Sequence, residues 1–163
     1  MLLMEDFARI VVIGAGATVV MDVWLLLLKR MGIQAADFAL VGRWIGHLLR
    51  GRFAHAAIAR APAIPHELRL GWLAHYAVGI AYAGLLVSVE GIDWVRSPTI
   101  VPALATGVAT IVVPLFVMQP AMGLGFAAAK TPAPLVNCVR SLANHVAFGI
   151  GLFVAATLLK QWS

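Results

Sequence analysis

"TVVMDVWLLLLK", residues 18–29, holds a single carboxylate, Asp22, inside an apolar run that reaches back to Ile10. About 20 apolar residues is the length of a helix that crosses the hydrocarbon core. A carboxylate inside such a run demands a partner or a proton, because an unmatched charge in lipid is expensive. The rest of the chain answers to the same solvent. Of its 163 residues 62% are hydrophobic and 12% charged, with mean hydropathy +0.94. Soluble domains carry about 25% charged residues. The composition predicts one integral membrane domain, residues 1–163.

Four runs are long enough to span: about 10–28, 70–89, 99–122 and 135–159. Helices are expected for all of them, since lipid leaves an open strand edge unsatisfied. The predicted fold class is all-α: a four-transmembrane-helix bundle, with an amphipathic helix in the connection of about 30–69, between spans one and two.

The formal charge of +5 does not point to nucleic acid. Seven of the twelve basic residues fall between Lys29 and Arg69, and basic connections stay on the cytoplasmic side. The expected localisation is the bacterial inner membrane, multi-pass, with both termini periplasmic. The N-terminal "MLLMEDFAR" has Glu5 and Asp6 where a signal peptide needs a basic region. The single cysteine, Cys138, has no disulfide or metal-motif partner.

In the first connection Phe38, Val41, Ile45 and Leu48 lie close to helical spacing, with Arg43, His47, Arg50 and Arg52 among them. This suits a helix lying on the anionic leaflet, with Trp44 as an interface anchor. His47, His55 and His66 are expected at the surface of this segment. "GRWIG" at 42–46 is a weak small-residue pattern outside a span. In the third span Pro114 and Pro120 each remove a backbone donor, which predicts a kink. A break is expected in the "AMGLGFAAAK" that follows. Small residues at 14–18, 79–84 and 148–151 predict close helix–helix approach.

The polar residues of the spans sort by depth. By helical rise, Asp22 lies about 9 Å, His75 and Arg140 about 8 Å, and Asn144 and His145 about 14–15 Å from the inner boundary. Gln119 lies near the inner end of span three. Asn137, Arg140, Ser141, Asn144 and His145 share one helical face. Asp22, His75, Tyr76, Gln119, Asn137, Arg140, Asn144 and His145 are therefore the candidate lining of a polar pocket in the cytoplasmic half. Asp22 with Arg140 is a pairing at matched depth, and a structural ion pair is the competing reading; His75 or His145 is the alternative partner. His75 also reads as an interface histidine, and Trp24, Trp72 and Trp94 as interface-belt residues.

"LGWLAHYAVGIAYAGLL" at 70–86, "VPLFVMQPAMGLGFAAAKTP" at 113–132 and "LANHVAFGIGLF" at 142–153 resemble a family of small bacterial inner-membrane proteins, domain of unknown function 2938. The likeness runs from "GATVVMDVW" onward. It implies a four-span membrane protein and supplies no activity, substrate or catalytic residue.

The favoured function is binding or moving a small solute or ion at the polar pocket, gated by protonation of Asp22, in a homodimer within the lipid bilayer. The alternative is a non-catalytic accessory or assembly subunit. Two further readings are open. One is a redox protein, with haem on His75 and His145 or a metal at Asp22, His75 and His145. The other is a lipid-acting enzyme, which ranks lower because no nucleophile motif is present. No cofactor and no catalytic residue is predicted, and a non-enzyme is favoured over an enzyme.

Overall fold

The computed structural model describes residues 4–33 and 36–161. The first residues of "MLLMEDFAR" and positions 34–35 of the 30–69 connection lie outside the described residues. The described chain is helical, without strands. In order it forms α1 (Met4–Arg30), α2 (Phe38–Leu48), a 3₁₀ turn (Ile58–Arg60), α3 (Glu67–Glu90), α4 (Asp93–Arg96) and α5 (Ile100–Ala109). A π-helical segment (Pro114–Met118), α6 (Gln119–Ala121), a second 3₁₀ turn (Phe126–Ala128) and α7 (Pro134–Gln161) complete it.

Four helical stretches among the described residues are long and apolar enough to cross a membrane: Met4–Arg30, Glu67–Glu90, Ile100–Ala121 and Pro134–Gln161. They match the expected spans but extend further at several ends. Glu5 and Asp6 lie in the first described turn of α1, where the helix dipole favours acids, and Lys29 and Arg30 lie in its last turn, where it favours bases.

The chain divides into two compact units: residues 1–34, 76–110 and 143–163 form one, and 35–75 and 111–142 the other. In the first unit the core is Ile10, Ile13, Ala17, Ala83, Leu86, Val87, Trp94, Val95, Ala103, Phe148, Leu152 and Ala156. The small-residue stretches meet there as predicted. Gly14 of α1 packs on Gly79 and Ile80 of α3, Gly151 of α7 on Ala17, and Gly107 of α5 on Gly149 of α7. A side chain at Gly14, Gly107, Gly149 or Gly151 would strike backbone, and one at Gly79 the Thr18 hydroxyl. The contact order gives direction: Ile10 meets Gly84 and Thr18 meets Gly79, so this part of α3 runs antiparallel to α1. The pairs Ala17–Gly151 and Trp24–Asn144 show the same for α1 and α7. Trp94 is buried, and its indole N–H donates to the Thr99 carbonyl (3.2 Å).

The second unit is built around α2 and the prolines. Asp37 caps α2, accepting from the Ala39 N–H. Gly42 and Gly46, treated above as a weak pattern, are buried contacts: Gly42 packs on the Glu67 carbonyl and Gly71, and Gly46 on Ile64. Pro114 and Pro120 bring the expected kink as a π turn, in which the Gln119 N–H reaches the Pro114 carbonyl five residues back. The wider ring accommodates the donors that proline lacks. The expected break follows at Gly123 and Gly125, both at positive φ, with Ala127 and Ala128 in the left-handed region as well.

Candidate functional site

In the first unit Asp22 meets Tyr76. The stripe Gly14, Thr18, Asp22 faces α3 at one-turn spacing. Thr18 returns its hydroxyl to the Gly14 carbonyl (2.8 Å) and packs on Gly79. One turn before Gly79 on α3, the Tyr76 hydroxyl donates to Oδ2 of Asp22 at 2.8 Å. Both side chains are half-buried. A hydrogen bond to a carboxylate in low dielectric is stronger than one between neutral groups.

Asn144 and His145, the deeper polar pair of α7, go to different neighbours. The Trp24 indole N–H donates to Oδ1 of Asn144 (3.0 Å), so this tryptophan is part of the polar network and not only a belt residue. Nδ1 of His145 lies 3.1 Å from both the Gly107 carbonyl and the Thr110 hydroxyl. The Thr110 proton is committed to Gly107 (2.8 Å). Nδ1 of His145 therefore carries the proton, and in the neutral ring Nε2 keeps the lone pair.

The second unit holds the other candidates. His75 packs against Phe38 (centroids 4.6 Å apart) and edge-on to Trp72 (5.8 Å). Asn137 donates to the Thr131 hydroxyl (2.8 Å), and Thr131 to the Ala128 carbonyl (2.7 Å), so Asn137 ties down the loop before α7. Arg140 is half-buried on the same helix. Gln119 is buried, and its Oε1 has no hydrogen-bond partner among the described residues. Among those residues no cluster of three or more histidine, cysteine or acidic side chains is placed to hold a metal.

Two arrangements here were not anticipated. His47 and His55 are buried, 7% and 6% exposed, which corrects the expectation that they lie at the surface. Nδ1 of His47 lies 2.7 Å from Nε2 of His55, and Nε2 of His47 lies 3.1 Å from the Pro62 carbonyl. The Pro62 carbonyl only accepts, so Nε2 of His47 holds a proton. With both rings neutral, His55 donates to His47, and Nδ1 of His55 is a buried acceptor without a partner among the described residues. Burial pushes the His55 pKa down, with Arg52 and His47 acting in the same direction. The cause of the burial is the loop's anchorage: the His55 N–H donates to the Ala121 carbonyl (2.8 Å) and the Ile58 N–H to that of Met122 (3.0 Å). His66 is exposed, as expected.

The second arrangement is Arg43. It grips Glu67 through both carboxylate oxygens (2.9 and 2.8 Å) and donates to the carbonyls of Ala59 and Ala61 (3.2 Å each). The Glu67 bonds hold the guanidinium pKa above its ordinary value. A sign was available in the sequence: Arg43 and His47 are one turn apart, on the helix whose glycines mark its packed side.

Residues 11–159 match the model of a family described as a protein of unknown function, DUF2938, and the chain belongs to that family. No curated protein and no solved structure matches it.

Proposed function

We propose that this family member is a multi-pass inner-membrane protein that binds or moves a small solute or ion, with Asp22 and Tyr76 as its charge-bearing node. The observation that carries the reading is the 2.8 Å hydrogen bond from the Tyr76 hydroxyl to Asp22, between two helices apolar enough to span a membrane. Ionisable residues inside spans are costly and mark ion or proton pathways. The Tyr76 hydroxyl is one of the groups that engage this carboxylate. Protonation of Asp22 is the gating step of the proposal, and a homodimer supplies a path wider than four spans enclose. Reconstituted vesicles test it. The protein dissipates an imposed pH gradient, and Asp22→Asn does not.

A second reading, an accessory or assembly subunit, is favoured by the Trp24–Asn144 and Thr110–His145 contacts, which engage polar groups in side-chain bonds. Under it, Asp22→Asn alters stability alone.

A further inference from the structure

The second unit contains an apolar groove of about 360 Å³, bordered by Phe53, Ala54, Phe116, Val117, Pro120 and Phe126. Its volume is that of a small-molecule site. Two backbone features build it. The His55 N–H to Ala121 carbonyl bond lays the loop carrying Phe53 and Ala54 beside α6. The π turn from Pro114 to Met118 carries Phe116 and Val117 of the groove wall. Trp44 fixes Phe53, donating to its carbonyl at 2.8 Å and meeting its ring edge-on at 6.0 Å. The three phenylalanines are 49–65% exposed.

Charge distinguishes this groove from ordinary lipid-facing surface. Residues 35–75 and 111–142 contain seven basic side chains against two acidic ones, Asp37 and Glu67, so this unit accounts for the whole net charge of +5. Glu67 is engaged by Arg43. Arg50 and Arg52, both exposed, lie three residues and one residue before Phe53. Lys130, also exposed, is brought back to the turn of Phe126 by its N–H bond to the Leu124 carbonyl (2.9 Å). Two of the segments that border the groove thus carry cations, and no acid occurs between Phe38 and His66 or between Ile111 and Leu142.

We propose that this groove binds one acyl chain of an anionic phospholipid, whose headgroup is held by Arg50, Arg52 and Lys130. The site rests on the membrane-spanning reading of the chain and is independent of any solute handled at Asp22. A neutral lipid satisfies the aromatic walls but not the cations. Inorganic phosphate satisfies the cations but leaves the walls bare.

Native mass spectrometry of protein released from mixed phosphatidylglycerol–phosphatidylcholine micelles tests this. Wild type retains phosphatidylglycerol over phosphatidylcholine by about tenfold or more, the order that several cations near an anionic surface supply. The triple variant R50Q/R52Q/K130Q brings the ratio near one. Ala54→Phe, which fills the groove from an exposed position, lowers retention of both lipids. Excess inorganic phosphate leaves the bound lipid in place. On wild type, a phosphatidylglycerol with a diazirine in its chain labels peptides containing Phe53, Phe116 or Phe126. A wild-type ratio near one, an unchanged ratio in the triple variant, displacement by phosphate, or labelling spread evenly over the spans overturns the proposal. None of these outcomes depends on flux, so failure of the transport reading is separately visible.

Discussion

Tyr76 donates its hydroxyl to Asp22 across the α1–α3 contact at 2.8 Å, one helical turn from the seam where Gly79 admits Thr18. The glycine brings the helices close, and the close approach puts the phenol within reach of the acid. Tyr76→Phe removes the donor and keeps the ring. The expected cost is about 1–2 kcal/mol, the lower part of the range for a hydrogen bond to a charged group, because both side chains are only half-buried. Thermal unfolding in detergent measures it. An unchanged midpoint would show that this bond contributes nothing to the fold.

Arg43 closes the second unit by joining α2 to Glu67 and to the carbonyls of the intervening loop. Arg43→Ala leaves Glu67 and those carbonyls short of donors and is expected to cost about 2–3 kcal/mol, below the full value for a buried pair because neither partner is completely buried. Arg43→Lys rescues only part of this, since an ammonium cannot supply the bidentate fork. Limited proteolysis of the 49–66 loop reads both variants, with faster cleavage expected in the order alanine, lysine, arginine. Equal rates in all three would contradict the role given to Arg43.

The His47–His55 contact predicts a pH dependence. The folded-state pKa of His55 is depressed by burial. Above about pH 6.5, the ordinary histidine value, both folded and unfolded states leave the ring neutral, and this contribution to stability is complete. As pH falls below that value, the unfolded chain takes up the proton first, and stability declines down through the depressed folded pKa. The unfolding midpoint is expected to drop between pH 7.5 and 5, about, and His55→Gln to flatten that slope. A slope identical in wild type and variant would remove His55 as its source.

Gly42 and Gly71 face one another where α2 meets the first turns of α3, and a Cβ on either would strike the backbone of the opposite helix. Gly42→Leu forces these helices apart and is expected to destabilise by about 1–3 kcal/mol or more through overpacking. Gly51, with open space around it but a positive φ, provides a contrast. There, Gly51→Asn is expected to be tolerated, because asparagine adopts the left-handed region more readily than other residues. A chemical-denaturation midpoint lower for Gly51→Asn than for Gly42→Leu would reverse this account of the two glycines.

The helices were legible because apolar length alone announces a span, and the third-span kink because proline lacks a donor. The small-residue seams followed from Gly14, Gly79, Gly149 and Gly151; Gly107, which packs on Gly149, lay outside the stretches that predicted them. Less was legible of the candidate site. Asp22 stood out by its charge, but its bond to Tyr76 depends on the rotation of α1 against α3, which depth estimates do not contain. Trp24 fits a belt residue, because a tryptophan near a span end suits that role whether or not its indole meets Asn144. His47 and His55 read as surface residues because they lie in the basic connection between two spans. Their burial comes from the pairing of residues 55 and 58 with 121 and 122, a contact between distant segments that local periodicity does not record.

The central claim is that Asp22, held by Tyr76, is the protonatable node of an ion- or solute-handling protein. The most direct measurement is the rate at which vesicles containing the purified chain dissipate an imposed pH gradient, followed with an entrapped pH-sensitive dye. The account predicts a rate well above that of protein-free vesicles, loss of the excess in Asp22→Asn, and an intermediate rate in Tyr76→Phe. Vesicles with wild-type protein that dissipate the gradient no faster than empty ones, or an Asp22→Asn rate equal to wild type, would contradict it.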